Sequence, residues 1–365
     1  MRIFFSTLLL LIFCNAVKAQ VLVRGKVLDE RSGTPVGNAS VYINNTSIGT
    51  VTNASGEFSL NLKNTYTAEL IISSVGYQLY TLHIDKDSVN FYYTVQLALK
   101  ENTLKDVLIM NDATRQQWMK IFIENFLGIT EEADNCVIEN AGAVYFAMGE
   151  NKNSMYAYAD TPLVIINKQL GYKISFDLVE FSFDKIKNST YFLGYSRYES
   201  ISDKKAVIKR RKQNYFGSTM HFYRTLTTGD VKKAGYTISG IKKIPAVKDS
   251  TKSNKKNSGP VNLVYPITVK DMLQKDTVTG AYYITGQKVV MIKYDEEPHA
   301  KFYLSRKILV RGLDRFGFTA YITLLDDKVE VDDNGIIHSP LGIVYDGFWV
   351  YEKLANQLPF DYQPE

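Results

Sequence analysis

The chain has 365 residues, and its 43 lysine and arginine residues against 38 aspartate and glutamate residues give a formal net charge of +5 at pH 7. This surplus is too small to require an anionic polymer such as a nucleic acid as a partner. The 25 tyrosines and 19 phenylalanines are typical of sheets packed on sheets, so the composition favours a mostly β protein.

Residues 1–19 are predicted to be a secretory signal peptide. Arg2 supplies the positive charge, and Leu8 to Phe13 form the centre of a short apolar run. Val17-Lys18-Ala19 offers the small residues that signal peptidase requires, so we expect cleavage before Gln20. The remaining length is enough for two or three domains.

The alternative for the first residues is a lipoprotein acylated at Cys14. The bulky Phe13 just before this cysteine argues against it. In both cases we expect an exported protein, located in the periplasm or at the periphery of the outer membrane. Cys136 is then the one cysteine expected outside the signal, so no internal disulfide is predicted. No other segment is long and apolar enough for a transmembrane helix.

Residues 20–98 are predicted to form a small β-sandwich. Short alternating apolar runs each end in Gly, Pro, Asn or Ser, as at Ser32-Gly33-Thr34-Pro35 and Asn53-Ala54-Ser55-Gly56. Such runs and turns are typical of strands in an antiparallel sandwich.

A set of positions spread over this segment carries a family resemblance. They are Gly25, Asp29, Thr34-Pro35, Ala39, Val41, Gly49-Thr50, Thr52-Asn53, Gly56, Phe58, Ser73 and Gly76-Tyr77. Residues 21–98 thereby resemble the carboxypeptidase regulatory-like domain, which implies a transthyretin-like β-sandwich of about seven strands. A similar domain begins many outer-membrane nutrient transporters of Gram-negative bacteria. Asn53 stands where the family has an acidic residue, which argues against an ionic or calcium role there.

The resemblance raises the question of a zinc carboxypeptidase, which would need a histidine followed by a glutamate three residues later. The four histidines are His83, His221, His299 and His338, and the residues three positions later are Lys86, Arg224, Phe302 and Leu341. None of these is a carboxylate, so the resemblance ends at the accessory domain. We predict no metal and no cofactor.

Residues 99–111 are predicted to connect two domains. Leu104 to Ile109 has the pattern of a strand that docks one domain on the next. A similar stretch in the transporter relatives pairs with a partner protein by strand addition, and this remains the alternative.

Residues 112–365 are predicted to form a larger β-rich α+β domain. One helix is expected near 112–127, where aromatic residues recur at helical spacing, and a polar helical block is expected near 203–228. The other alternating runs predict strands, with a bulge near Val179. The lysine-rich tract 248–259 is expected to be a loop.

This region carries a second resemblance. Its elements are Pro162-Leu163, Gly171-Tyr172, Gly194-Tyr195, Gly217-Ser218, His221-Phe222, Arg224, Leu226, Gly347-Phe348-Trp349 and Leu358 to Tyr362. They resemble the C-terminal part of a family of bacterial envelope proteins that is named only for its carboxypeptidase-like regulatory domain. The resemblance implies an envelope protein and no established reaction.

Signatures of catalysis are few. The segment from Gly194 to Tyr198 comes nearest to the G-x-S-x-G of serine hydrolases and fails at its last position. Cys136 could form a thiol dyad with His221, but a lone buried cysteine that acts as a small hydrophobe is favoured. The acidic run from Glu330 to Gly335 fails the calcium-loop pattern, so the tip of a hairpin from Val329 to Ile337 is predicted instead.

His221, Tyr223 and Arg224 are the candidate binding residues. On a helix His221 and Arg224 share a face, and both could contact an anion or a sugar on the wall of a cleft. In the favoured alternative, His221 is hydrogen-bonded in the core and Arg224 pairs with a carboxylate. The basic residues from Lys204 to Lys212 are expected to form a solvated helix face, with the anionic outer-membrane surface as the alternative.

The expected function is that of a non-catalytic binding or assembly protein of the cell envelope. Its partner would be an envelope protein or a glycan and not a nucleic acid, and peripheral association with the outer membrane is a further expectation. The alternative is an enzyme of unrecognised type that acts on envelope glycan or peptide, with His221 and Arg224 in its site.

Overall fold

The computed structural model describes residues 21–62, 68–84, 92–100, 111–149, 153–244, 261–296, 313–314 and 317–364. The described residues divide into two compact units, of which the first contains the described residues from Val21 to Lys100 with Tyr195–Arg197 and the second contains the rest. The predicted signal peptide, most of the predicted connecting segment and the lysine-rich tract lie outside the described residues. No helix in the described ranges is both long and apolar enough to cross a membrane.

The first unit is a seven-stranded β-sandwich, as predicted. Its strands are β1 Val21–Asp29, β2 Ser40–Ile43, β3 Gly49–Val51, β4 Glu57–Leu62, β5 Ala68–Ser73, β6 Tyr80–Ile84 and β7 Tyr92–Leu97. One sheet has the order β4-β1-β7 and the other has the order β3-β2-β5-β6. β1 pairs with β4 antiparallel and with β7 parallel.

Alternation along the strands produces the core of this unit. In β4 the burial changes at every residue, so Phe58 and Leu60 point inward. They meet buried residues of the other sheet, such as Val41 and Ile72. Asn53 makes the turn before β4, because its Oδ1 accepts the backbone N–H groups of Ser55 and Glu57, both at 2.9 Å. An amide side chain therefore makes this turn, as the oxygen of an aspartate could.

The first described element of the second unit is helix α1, Asp112–Phe126. Asn111 caps it by accepting the N–H of Thr114 at 2.8 Å. The helix buries Trp118, Phe122 and Phe126, which lie on one face because they are spaced by four residues. These rings make edge contacts with aromatic residues of the adjoining sheet, including Phe146, Phe176 and Phe181.

That sheet has six strands and follows a short helix, α2 Glu131–Asp134. The strands are β8 Cys136–Ile138, β9 Val144–Met148, β10 Ser154–Ala159, β11 Leu163–Asn167, β12 Tyr172–Asp184 and β13 Ser189–Ser200. Their order is β8-β11-β12-β10-β9, and β13 pairs with β12. The buried positions of β12 change from even to odd numbers between Phe176 and Phe181, around the residue where the sequence predicts a bulge.

The predicted helical block contains two helices, α3 Lys205–Tyr215 and α4 Thr219–Thr228. Gly217 lies between them with φ +88°, a conformation that glycine adopts most readily. Ser218 begins α4 as its N-cap, since its Oγ accepts the N–H of His221 at 3.2 Å. The predicted helical block therefore consists of two separate helices.

The rest of the chain builds a second six-stranded sheet and a small three-stranded sheet. The strands are β14 Tyr236–Ile244, β15 Val261–Pro266, β16 Leu273–Lys275, β17 Tyr282–Ile284, β18 Val289–Tyr294, β19 Leu313–Asp314, β20 Gly317–Leu324, β21 Val329–Val331 and β22 Ile343–Gly347. The large sheet has the order β15-β14-β18-β20-β19 with β22 on β20, and the small one has the order β16-β17-β21. Short 3-10 helices lie at Ala141–Ala143, Val269–Asp271, Pro340–Gly342, Phe348–Tyr351 and Leu354–Asn356.

Candidate functional site

The three predicted binding residues lie together on α4, and all of them are buried. His221 is 6%, Tyr223 1% and Arg224 9% exposed. Their neighbours on the helix, Phe222 and Leu226, belong to the hydrophobic core of the second sheet. The side chains are therefore placed inside the unit and are held by partners within it.

His221 is bonded through one ring nitrogen. Its Nδ1 lies 3.2 Å from the backbone nitrogen of Gly217 and 3.0 Å from the hydroxyl of Tyr236. Because a backbone N–H can only donate, Nδ1 is the acceptor, and the proton of the neutral ring is on Nε2. Burial, followed by the nearby charge of Arg224, lowers the pKa of His221 to about 4.

This lowered pKa predicts acid sensitivity. The unfolded chain takes up a proton at His221 near its ordinary pKa of 6.5, whereas the folded chain resists protonation until about pH 4. The contribution of the neutral His221 ring to the free energy of unfolding is thus fully present above pH 6.5. It is lost as the pH falls towards 4, which lowers the free energy of unfolding by about 3 kcal/mol. Urea unfolding between pH 7.5 and 4 would measure the loss. His221→Asn keeps an acceptor near Nδ1 and should show a smaller loss, whereas an equal loss in both proteins would contradict the assignment.

Arg224 binds backbone carbonyl groups instead of the expected carboxylate. Its Nε donates to Asn334 O at 2.8 Å, its Nη1 to Tyr362 O at 2.9 Å and its Nη2 to Phe360 O at 3.0 Å. The guanidinium also lies 5.5 Å from the ring centre of Tyr215. One side chain thereby holds the turn after β21 and the segment around Phe360 against α4.

Tyr223 also has an internal partner. Its hydroxyl lies 3.0 Å from that of Tyr345 on β22. The contacts of His221, Tyr223 and Arg224 explain their burial, and their role in ligand binding remains a prediction.

Two other candidates from the sequence, Cys136 and the acidic run around Asp332, also have contacts within the fold. Burial, together with the charge of Glu132, raises the pKa of the Cys136 thiol to about 12, so it stays protonated and is a poor nucleophile. Asp332 closes the turn after β21, because its Oδ1 accepts the N–H groups of Asn334 and Ile336 at 2.9 and 3.0 Å. Across the described ranges, no three His, Cys, Asp or Glu side chains are grouped as metal ligands.

A buried polar cluster joins α2, α3 and the 3-10 helix Leu354–Asn356. Glu132 is fully buried and accepts from Asn214 Nδ2 and Asn356 Nδ2, both at 3.2 Å. Thr130 donates to Asn356 Oδ1 at 2.8 Å, and Arg210 Nη1 lies 3.8 Å from the Glu132 carboxylate. The described partners occupy both carboxylate oxygens, so this cluster serves the fold.

A different set of side chains points away from the core of the second unit. Tyr145 on β9 and Tyr158 on β10 are directly opposite each other across the strand pair, and Tyr156 lies two residues before Tyr158. Their rings alternate with residues that are 2% exposed or less, namely Val144, Phe146, Met155 and Ala157. Since side chains alternate between the faces of a sheet, the three tyrosines share the outer face.

We call these tyrosines, with Asp160 and Glu180, the tyrosine face. The rings of Tyr145 and Tyr158 stack with centroids 5.6 Å apart and planes inclined by 29°. Tyr145 donates its hydroxyl to Asp160 Oδ1 at 3.1 Å. The three rings are half-buried and Glu180 is exposed, so the cluster combines a broad aromatic surface with two carboxylates at the protein surface.

Electrostatics keep the phenols of Tyr145 and Tyr158 neutral. Partial burial and the charge of Asp160 raise the pKa of Tyr145 to about 12. Partial burial, then Tyr156 and Glu180, raise the pKa of Tyr158. The hydroxyl groups of Tyr145 and Tyr158 therefore remain protonated at physiological pH, beside the carboxyl groups of Asp160 and Glu180. Such a surface can pack against an apolar ring face and exchange hydrogen bonds with hydroxyl groups.

The tyrosine face lies outside the residues predicted to form a site. The sequence carries one signal for it, the alternation in V-Y-F-A-M and M-Y-A-Y, in which Tyr145, Tyr156 and Tyr158 alternate with apolar residues. That pattern indicates a shared face, whereas the direction of the face depends on α1, which covers the other side.

Comparisons with known proteins support the interpretation of the first unit. Residues 23–109 match the model of the CarboxypepD_reg-like domain. No curated protein matches the chain.

Three solved structures resemble the chain at low scores. A suggested membrane-associated protein of unknown function from Bacteroides fragilis is 8% identical, covers 90% of this chain and 93% of its own, and has a TM-score of 0.18. A suggested carbohydrate-binding protein from Bacteroides uniformis is 8% identical over 85% and 98%, with a TM-score of 0.17. A 9R-lipoxygenase from Cyanothece is 10% identical over 58% and 50%, with a TM-score of 0.18. These scores are too low to assign a function.

The family match, the seven strands in two sheets and the turn built by Asn53 agree on the first unit. Residues 23–109 of this chain are a CarboxypepD_reg-like domain.

Proposed function

We propose that the chain is a non-catalytic binding protein of the bacterial cell envelope and that its second unit binds a glycan through the tyrosine face. The observation that carries the proposal is the stacked pair Tyr145 and Tyr158, with Tyr156 beside it and carboxylates at Asp160 and Glu180. The accessory domain and the predicted export signal support an envelope location.

The chemistry of a sugar fits this surface. A pyranose ring has C–H groups on its faces, which pack against aromatic rings, and hydroxyl groups at its edge, which bond to carboxylates and phenols. Three tyrosines on one sheet face offer room for more than one sugar unit, since residues two apart on a strand lie about 7 Å apart.

The enzyme alternative draws no support from the candidate residues. Nδ1 of His221 is bonded to Gly217 and Tyr236, and the guanidinium of Arg224 is bonded to three carbonyl groups. A chemical step through either side chain would have to break these contacts first.

The proposal is tested by binding of the purified protein to insoluble peptidoglycan, chitin and cellulose. We expect binding to at least one of these polymers. Tyr158→Ala should weaken it by about 2 kcal/mol, or roughly thirtyfold, because truncation of a central aromatic contact typically costs that much.

Tyr92→Ala is the matched control, since Tyr92 is a strand tyrosine of the first unit that is 60% exposed. It should leave binding unchanged. Equal binding by wild type and Tyr158→Ala would refute the role of the tyrosine face, and failure of all three polymers to bind would count against a glycan ligand.

A further inference from the structure

Two neighbouring strands at one end of the second six-stranded sheet, β14 and β15, share a stretch in which they pair with each other alone among the described residues. β14 pairs with β18 over Tyr236–Gly240 and with β15 over Ser239–Ile244. In the part of the chain that the structure describes, β15 is the terminal strand of the sheet. We call residues 241–244 and 261–264 the β14–β15 ribbon.

The ribbon exposes apolar side chains on both of its faces. Leu263 is 46% and Val264 48% exposed, and consecutive residues of a strand point to opposite faces. An isolated two-stranded ribbon is only marginally stable in water, whereas a third strand adds hydrogen bonds and packing. Charges and prolines commonly block strand addition at an edge; β15 contains no charge, and its one proline, Pro266, lies at its end, outside the ribbon.

The charges of the ribbon indicate what kind of strand fits. Lys242 lies opposite Leu263 and Lys243 lies opposite Asn262, so each face of the ribbon presents one exposed lysine. The sequence that joins the two strands, residues 245–260, adds four lysines and one aspartate. A second copy of the ribbon would bring like charges together, whereas an acidic strand would be attracted.

We propose that the outer edge of β15 binds an extended segment of a partner protein by strand addition, and that this segment carries acidic side chains at alternating positions. Main-chain hydrogen bonds to β15 supply affinity in this mode of recognition, and side chains supply specificity. In such a complex Leu263 and Val264 pack against side chains of the added strand, and its carboxylates attract the long side chains of Lys242 and Lys243 across β15, over about 10 Å between the strand axes. This inference is independent of glycan binding.

The test uses two fluorescent peptides of equal length, one with alternating glutamate and valine and one with alternating lysine and valine. We expect the purified protein to bind the acidic peptide, with an affinity that falls as salt is added. Hydrogen exchange of β15 should slow in the complex. The variant with Lys242→Glu and Lys243→Glu should bind at least about tenfold more weakly.

Val278→Glu is the matched control, because Val278 is 93% exposed elsewhere in the same unit. Lys242→Gln with Lys243→Gln gives a milder version of the test if the double reversal disturbs folding, as monitored by circular dichroism. Three results would overturn the proposal. They are equal binding of both peptides, no binding of the acidic peptide, and self-association of the wild type that Leu263→Glu abolishes.

Discussion

Replacing Arg224 by methionine should lower the free energy of unfolding of the second unit by about 3–5 kcal/mol. The side chain makes three hydrogen bonds of 2.8–3.0 Å to carbonyl groups, each worth about 1.5 kcal/mol at the lower end of the range for a charged donor. Methionine fills similar space but donates no hydrogen bond. Urea unfolding measures the difference, and hydrogen exchange should show faster opening around Phe360 and Tyr362.

Lys209→Met is the control for this variant, since Lys209 is exposed on α3 and such changes usually cost less than about 0.5 kcal/mol. Arg224→Lys keeps the charge but cannot reach three acceptors at once, so it should recover only part of the stability. Equal stability of Arg224→Met and Lys209→Met would show that the three bonds contribute nothing.

Replacing Glu132 by glutamine should cost about 2–4 kcal/mol. The carboxylate accepts from the side-chain amides of Asn214 and Asn356. Glutamine has one oxygen and one NH2 group, so its NH2 group would face the NH2 group of one of these asparagines. Loss of the negative charge would also remove one of the two carboxylates beside Arg210, whose side chain is 27% exposed. Urea unfolding at pH 7 measures the change.

The neighbouring residue offers a matched control. Glu131 also contacts Arg210, at 3.1 Å, but its side chain is 31% exposed, against 0% for Glu132. Exposed ion pairs contribute at most about 1 kcal/mol, so Glu131→Gln should be nearly neutral. Equal losses of stability in Glu131→Gln and Glu132→Gln would show that the buried hydrogen bonds of Glu132 do not stabilise the fold.

Sequence patterns predicted the elements whose cause is local. The aromatic spacing of α1 places Trp118, Phe122 and Phe126 on one face, and the helix forms where that spacing occurs. The sandwich follows from alternation and from turn residues such as Asn53, whose bonds span only four residues. The break at Gly217 and Ser218 was harder to predict, because a capping serine and a glycine also occur inside loops and helices.

Long-range contacts could not be predicted from the sequence. The carbonyl partners of Arg224 lie 110 to 138 residues further along the chain, and every residue offers a carbonyl group. The expectation of a carboxylate partner rested on charge alone. In β9 and β10 the residues that alternate with tyrosine are also apolar, so only the packing of α1 decides which set faces outward.

The central claim, that the tyrosine face binds a glycan, is tested most directly by nuclear magnetic resonance of the protein with labelled tyrosine rings. Solubilised peptidoglycan fragments and oligomers of chitin and cellulose would be added in turn. The account predicts that one of them shifts the ring signals of Tyr145, Tyr156 and Tyr158 and leaves those of Tyr92 and Tyr223 in place. Binding that leaves these three signals unchanged, or no shift with any of the sugars, would contradict it.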